Sequence, residues 1–420
     1  MTKQKNHFID LFAGCGGFSL GLEQAGFEPV LFNELNESAA DSYRINREDK
    51  EIMYIPDAYD IKESDLRTFK NIDLICGGPP CQGFSNRSVR RTFKAPKKDM
   101  NRNHLYNEMV RIINIAQPKI FLFENVRGLI SGRWTPDGEK GDIFKDILNS
   151  FCNVLESNYI ISWNILKSSD YGIPQKRERV FMVGIRKTLD FHKNFLNNEI
   201  LKNTIRNEKL EDAIELNILP KPKNGIIPPS PFDVLSDLID EDYNKNLITT
   251  CYPSSANNQI QKEFRKKKNS DNSYYRKGHK LTEHQYSKHS KRIIDKFNYM
   301  LKNDGRIKKS DVTLKFSQKV LDKHWRESGP NITVTSMPDD YIHFSQPRTL
   351  SVREWARLQT FPDWYQFAGK RTTGGHRRAG LPTSTANEIE IPKYTQIGNA
   401  VPVKLAKAIG DHFKYILEYK

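Results

Sequence analysis

HFIDLFAGCGGFSLG, residues 7–21, passes from a short apolar run into a glycine-rich turn and then into an apolar pattern with helical spacing. The order strand, tight glycine turn, helix is how a parallel α/β sheet begins. Gly14, Gly16 and Gly17 let the backbone come close to an anionic or polar ligand at that turn. By itself the pattern is weak, because glycine also serves plain tight turns.

The same alternation continues outward. A helical pattern over 17–25 is followed by the strand-like EPVLFN, a helix over 37–45, and the buried-strand runs DLICGG (73–78) and KIFLFE (119–124). Then come a helix over 141–155, the strand YIISWNILK (159–167) and the strand RVFMVGI (179–185). Short apolar runs separated by amphipathic segments predict a mostly parallel, helix-covered sheet ending near residue 187. A last helix, 403–419, has apolar residues at the spacing needed to return and cover that sheet.

Between these parts the character changes. Residues 190–345 contain the polar DFHKNFLNNEILKN, the proline cluster IIPPSP and the basic QKEFRKKKNS, which predict a second, less regular domain. The boundaries read from the sequence are 1–187 with 390–420 for the sheet domain and 188–389 for the other. The segment 86–103 carries seven Arg or Lys among polar positions and is a candidate lid.

In 420 residues, 66 Lys and Arg face 51 Asp and Glu, a formal charge of +15, so a polyanionic partner is favoured. Charge alone does not separate DNA, RNA and anionic membrane surfaces. The opening MTKQKNHF leads into no long apolar run, so neither a signal peptide nor a membrane span is expected there. Five cysteines are too sparse for a disulfide framework and lack paired zinc spacing, so no metal is expected and each is either core or a reactive thiol.

Glu34 follows the second strand, where a carboxylate can accept from both hydroxyls of a ribose. Asp60 follows the next short apolar segment, where it can accept from an adenine amino group. Two acids after successive sheet elements beside a glycine turn point to an adenosine-containing cofactor without saying which. In GGPPCQGFS (77–85), Pro79 and Pro80 stiffen a strand exit and Cys81 follows in a polar loop able to present a thiolate. FLFENVRG delivers Glu124 and Asn125 at the carboxyl end of a strand, the functional edge of a doubly wound sheet. Gln175, Arg177 and Arg179 alternate along an extended stretch, so the three face one side. Near the C-terminus, QIGNAVP supplies Asn399, whose amide bonds through both ends.

PCQ, then ENV, then the polar set of PQKRERV, in that order, resemble the central motifs of the DNA (cytosine-5)-methyltransferase family of prokaryotic restriction–modification systems. The resemblance covers roughly residues 7–187 and 347–410, and the insert matches by position only. It implies an S-adenosylmethionine-dependent methyltransferase sheet with a smaller, irregular target-recognition domain. It also implies methyl transfer to C5 of a cytosine flipped out of double-stranded DNA, through a covalent Cys81 adduct. Glu124 is expected at the amino group and N3 of the base and Arg179 at O2, supported by Asn125, Gln175 and Arg177. Phe12 and the glycine loop are expected against S-adenosylmethionine, with Glu34 at its ribose, Asp60 near its adenine and Asn399 beside its methionine part. Leu35 departs from the family, whose members commonly place a tryptophan there to stack on adenine.

PRTLSVREWARLQTFPD resembles the motif that organises the recognition domain, with Arg348, Arg353, Glu354, Arg357 and Gln359 at its polar positions and Ser351 as a helix cap. The run Arg265, Lys266, Lys267, Lys268 is read as phosphate-facing. Double-stranded DNA is the expected partner, with a cognate restriction endonuclease acting on the same sequence without a stable complex. A monomer in a prokaryotic cytoplasm is expected, with no extra N-terminal regulatory domain. Two other functions compete: an RNA cytosine-5 methyltransferase and a non-catalytic DNA-binding module.

Overall fold

The computed structural model describes residues 5–80, 104–135, 137–191, 213–222, 225–270, 272–311, 318–327, 329–332, 338, 340–372 and 391–419. Cys81 and the candidate lid, 86–103, lie outside these residues.

Seven strands form one sheet: β1 (Asn6–Leu11), β2 (Phe27–Phe32), β3 (Met53–Tyr54), β4 (Leu74–Gly77), β5 (Ile120–Val126), β6 (Tyr159–Lys167) and β7 (Glu178–Arg186), in spatial order β3-β2-β1-β4-β5-β7-β6. The β1–β2, β2–β3, β1–β4 and β4–β5 pairs are parallel. β7 runs antiparallel between β5 and β6. The reason is the connection. Between β6 and β7 there is only a short 3-10 turn, Ser168–Tyr171, and a few loop residues, too little chain for a crossover helix, so β7 folds straight back. The chain leaves β1 toward β2 and β3 on one side and returns to β4 and β5 on the other, which opens a crevice at the carboxyl ends of β1 and β4.

Alternate strand residues go to opposite faces of the sheet. Phe8, Leu74, Ile120, Leu122 and Phe181 pack on one side with Leu22 of α1 (Gly17–Gln24) and with Leu405, Ile409 and Phe413. Ile9, Leu11, Ile75, Phe121 and Phe123 pack on the other with α3 (Leu105–Ala116) and α4 (Asp142–Leu155). Both faces are covered, so the strands read as continuous apolar runs rather than strict alternation. Between α1 and β3 lies α2 (Glu37–Ile45), capped by Asn36, whose side chain accepts from Ala39 N.

Further along come α5 (Val352–Leu358), α6 (Lys393–Asn399) and α7 (Val403–Glu418). The terminal helix returns to the sheet as its sequence pattern predicts. A Cβ on Gly21 of α1 would sit 2.4 Å from the Ala406 Cβ of α7, so glycine is what lets these two helices touch.

A third cluster joins Cys15 and Leu20 to Val234, Leu235, Phe264, Trp355, Phe361, Tyr365 and Tyr394. It is built around α5, which Ser351 caps in a reciprocal capping box with Glu354. Four arginines of this region, Arg265, Arg348, Arg353 and Arg357, are buried. Arg348 makes a two-pronged bond to Glu354, at 2.8 and 2.7 Å. Arg357 bonds Asp363 and Asp237, and Asp237 also takes Arg265. Arg353 donates to the backbone oxygens of Thr282, Pro362 and Tyr365. Among the described residues no helix is long and apolar enough to cross a membrane.

Candidate active site

Three loops meet at the crevice. The first leaves β1. Phe12, Gly14 and Gly16 have φ of 57°, 58° and 80°, a left-handed conformation that suits glycine and strains Phe12. Phe12 N and Ala13 N donate to Asn33, through its side chain and its carbonyl. Open space lies beside Gly14, where an added Cβ would meet nothing within 4 Å. The other two glycines are enclosed by protein: a Cβ on Gly16 would strike Arg47, Tyr43 and Tyr365, and one on Gly17 would strike Phe361 and the Val401 carbonyl. Of the three glycines expected at the cofactor, only Gly14 thus presents an open Cα face. Gly16 and Gly17 serve close packing.

The second loop leaves β2. Glu34 Oε2 accepts from Gly14 N at 2.9 Å and Oε1 accepts from Asn36 N at 2.8 Å. Burial pushes the Glu34 carboxyl up from its ordinary range, and those two backbone donors oppose the shift. Each oxygen keeps a lone pair for a diol, so the carboxylate arrives oriented for a ribose. Leu35 beside it is exposed. Asp60 is exposed on the 3-10 turn Ala58–Asp60, and Asn399 is exposed at the end of α6. A turn with an open Gly14 face and a diol-ready carboxylate fits an adenosyl cofactor.

The third loop leaves β4 through Gly78, Pro79 and Pro80, the residue before Cys81. Asn125 is buried and donates from Nδ2 to Pro79 O at 3.0 Å, tying the end of β5 to that exit. A Cβ on Gly78 would lie 2.9 Å from Glu124 Oε2, so the carboxylate rests directly over the exit backbone. Strand register explains its partner. Glu124 pairs with Phe181 and Val126 with Arg179 across β5 and β7, which puts Glu124 and Arg179 diagonally on one face. Arg179 Nε lies 3.0 Å from Glu124 Oε1. Burial raises the Glu124 carboxyl pKa, while Arg179 and then Arg177 pull it down. A carboxyl held by opposing effects of this kind can exchange a proton during a reaction.

Gln175 and Arg177 continue the alternation and are buried. Gln175 Nε2 donates to Leu358 O and Gln359 Oε1. Arg177 donates to Ile332 O at 2.9 Å and to Asn399 O at 3.2 Å. One extended stretch therefore contacts α5, the 329–332 segment, the end of α6 and the carboxylate.

The family described as C-5 cytosine-specific DNA methylase matches residues 6–414. The chain belongs to this family. Type II methyltransferase M.DdeI of Desulfomicrobium norvegicum is 30% identical over 432 residues, covering 98% of this chain and 89% of the relative. Type II methyltransferase M1.HphI of Haemophilus parahaemolyticus is 28% identical, covering 96% of this chain and 85% of the relative. A solved candidate DNA modification methyltransferase from an E. coli prophage shares the fold, with a TM-score of 0.64 and 23% identity over 98% of this chain and 99% of that one. As a C-5 cytosine-specific DNA methylase of the restriction–modification type, the protein transfers a methyl group from S-adenosylmethionine to C5 of cytosine in double-stranded DNA. Its kind is prokaryotic and DNA-associated.

The basic run needs correcting. Arg265 is buried, bonded to Asp237 and Ser254 O and stacked 4.1 Å over Tyr252, so it is part of the core and does not face phosphate. Lys268 is exposed but bonds Asp49 at 2.8 Å. Lys266 and Lys267 are half-buried, and Lys267 Nζ lies 5.9 Å over the Tyr275 ring. The more exposed cations are Arg276, Lys277 and Lys280, from the stretch SYYRKGHK. Sequence reading also passed over Arg47 and Tyr365, which meet the carbonyl side of the glycine loop. An aromatic just after a helix reads as ordinary core, and nothing local marks it otherwise.

Proposed function

We propose that Cys81 is the nucleophile of this methyl transfer, with Glu124 and Arg179 holding the base. Their support is a single arrangement: the half-buried Glu124 carboxylate lies over the Gly78 backbone, three residues before Cys81, and faces Arg179 at 3.0 Å. The Cys81 thiolate adds to C6 of the cytosine, which makes C5 electron-rich. S-adenosylmethionine, when bound, would supply an electrophilic methyl group on a sulfonium and would leave as the thioether S-adenosylhomocysteine. Water or hydroxide then takes the C5 proton as the thiolate is expelled, and the aromatic ring is restored. Glu124 hydrogen-bonds the amino group and, protonated, N3, which limits the charge left by thiolate addition; Arg179 meets O2. Asn125 holds the Cys81 loop, and Gln175 and Arg177 join the base pocket to α5 and α6. Phe12, the glycine loop, Glu34, Leu35, Asp60 and Asn399 surround the cofactor. The stacked duplex hides C6 from a thiolate, so the cytosine flips into the pocket.

Sequence choice belongs mainly to residues 188–345, with phosphate contact from Lys266, Lys267 and the neighbouring Arg276, Lys277 and Lys280. The enzyme works as a monomer in the cytoplasm, protecting sites that a cognate endonuclease cuts without forming a stable complex with it. Light scattering giving twice the chain mass would overturn the monomer.

The test of the nucleophile is trapping. Duplex DNA with 5-fluorocytosine at the target is expected to form a stable adduct with the unsubstituted enzyme, because fluorine does not leave as a proton does. Cys81→Ser is expected to form none while still binding duplex and cofactor. An adduct mapped to another residue refutes the assignment. For the recognition region, exchange of residues 188–345 for those of a relative is expected to move methylation to a new sequence in mapped DNA; an unchanged target in an active chimera refutes it.

A further inference from the structure

The loop that carries Gly14 bends at three left-handed positions within five residues. Alternating backbone handedness gathers N–H groups into a concavity and turns carbonyls outward, so such a loop needs donors behind it. The donors come from two distant segments. Tyr365 Oη donates to Cys15 O at 2.5 Å, Arg47 Nη2 donates to Gly16 O at 3.2 Å, and Arg47 Nη1 donates to Tyr365 Oη at 3.1 Å. Arg47 and Tyr365 are both buried and both held. Glu23 takes Arg47 Nε and Nη2 at 3.0 and 2.7 Å, and the guanidinium lies 4.0 Å over the Tyr43 ring. Arg353, which also bonds Thr282, donates to the Tyr365 carbonyl at 2.9 Å.

We propose that Tyr365 and Arg47 are positioning residues for S-adenosylmethionine: by bonding the carbonyls of Cys15 and Gly16 they hold the loop in the shape in which Gly14 N–H meets Glu34 and the open side stays free for the cofactor. The inference rests on the placement of the cofactor at Gly14 and Glu34. Neither residue touches the cofactor; both act through the loop. Without the Tyr365 hydroxyl, Cys15 O is buried without that donor, the loop populates other shapes, and cofactor affinity falls by the fraction of time the binding shape is lost.

Calorimetric binding of S-adenosylmethionine to the full chain is the measurement. Tyr365→Phe is expected to raise the cofactor Kd by about 5- to 30-fold, the equivalent of one buried hydrogen bond. The kcat at saturating cofactor and the duplex Kd are expected to stay within about 2-fold of the unsubstituted protein. Arg47→Lys is expected to raise the cofactor Kd further, because an ammonium cannot serve Gly16, Tyr365 and Glu23 together. Tyr394→Phe is the control. Its buried hydroxyl donates to Leu350 O at 2.7 Å, and its loss is expected to lower thermal stability without moving the cofactor Kd. The proposal is overturned if Tyr365→Phe and Arg47→Lys leave the cofactor Kd within 2-fold, or if Tyr394→Phe raises it as much as Tyr365→Phe. Glu34→Ala separates the two layers: an unchanged cofactor Kd there refutes the cofactor's placement itself.

Discussion

The sheet and the region around α5 are both buried, but opposite chemistry holds them. Strands β1, β4 and β5 contribute Phe8, Leu74, Ile120 and Leu122 to a face whose packing is mainly apolar, with Asp10 bonded to Ser19 as a buried polar exception. Around α5, Arg265, Arg348, Arg353 and Arg357 are nearly inaccessible, with Asp237, Glu354 and Asp363 as partners. An apolar face loses stability in proportion to the volume removed. A buried ion network loses it through whichever charge is left alone. The lesson is that the region around α5 tolerates change poorly at polar positions and the sheet at apolar ones, against the usual expectation that charged residues are surface residues.

The largest expected effect breaks the network. Arg357→Ala leaves Asp237 and Asp363 without their shared cation and is expected to cost about 3–5 kcal/mol in urea denaturation, whereas Ile120→Val in the sheet costs about 0.5–1.5 kcal/mol. Equal losses at the two sites would erase the contrast.

A smaller effect comes from protons. His284 is buried, accepting at Nδ1 from Ser351 Oγ, which is 2.8 Å away, and donating from Nε2 to Leu238 O at 3.0 Å. Burial pushes its pKa down to about 4, with Arg348 adding to the shift while Glu354 opposes it. The unfolded chain takes up this proton near the ordinary 6.5 and the folded chain only near 4. The contribution of neutral His284 is therefore complete above pH 6.5 and lost as pH falls from 6.5 toward 4. Between pH 7 and pH 5 the unsubstituted protein is expected to lose roughly 1–2 kcal/mol more than His284→Gln. Parallel stability curves for the two would remove His284 from the account. Asp10 works in the opposite sense: burial raises it to about 6, so its protonated form favours the folded state between about pH 4 and 6. The difference between variants, rather than the slope of one protein, is what isolates the histidine.

Much of the sheet and its site was legible from the chain alone. Strand and helix periods, the glycine turn and the Pro-Pro strand exit depend on residues a few positions apart, and these local terms mark β1, β2 and β4 to β7, the return of α7 and the Ser351 cap, with β3 legible only as a short apolar segment before Asp60. The alternation of Gln175, Arg177 and Arg179 was equally local, and register then put Arg179 beside Glu124. What only the tertiary structure decided was which charges are buried and which glycine is open. Arg265 and Lys266 are neighbours in one basic run, yet Arg265 meets Asp237, 28 residues earlier in the chain, and goes into the core. Gly14 and Gly16 look alike in sequence, but Arg47 and Tyr365 close over one and not the other. Burying a charge is tolerable only where a distant opposite charge arrives to meet it, and that arrival is a property of the folded chain rather than of any stretch of it.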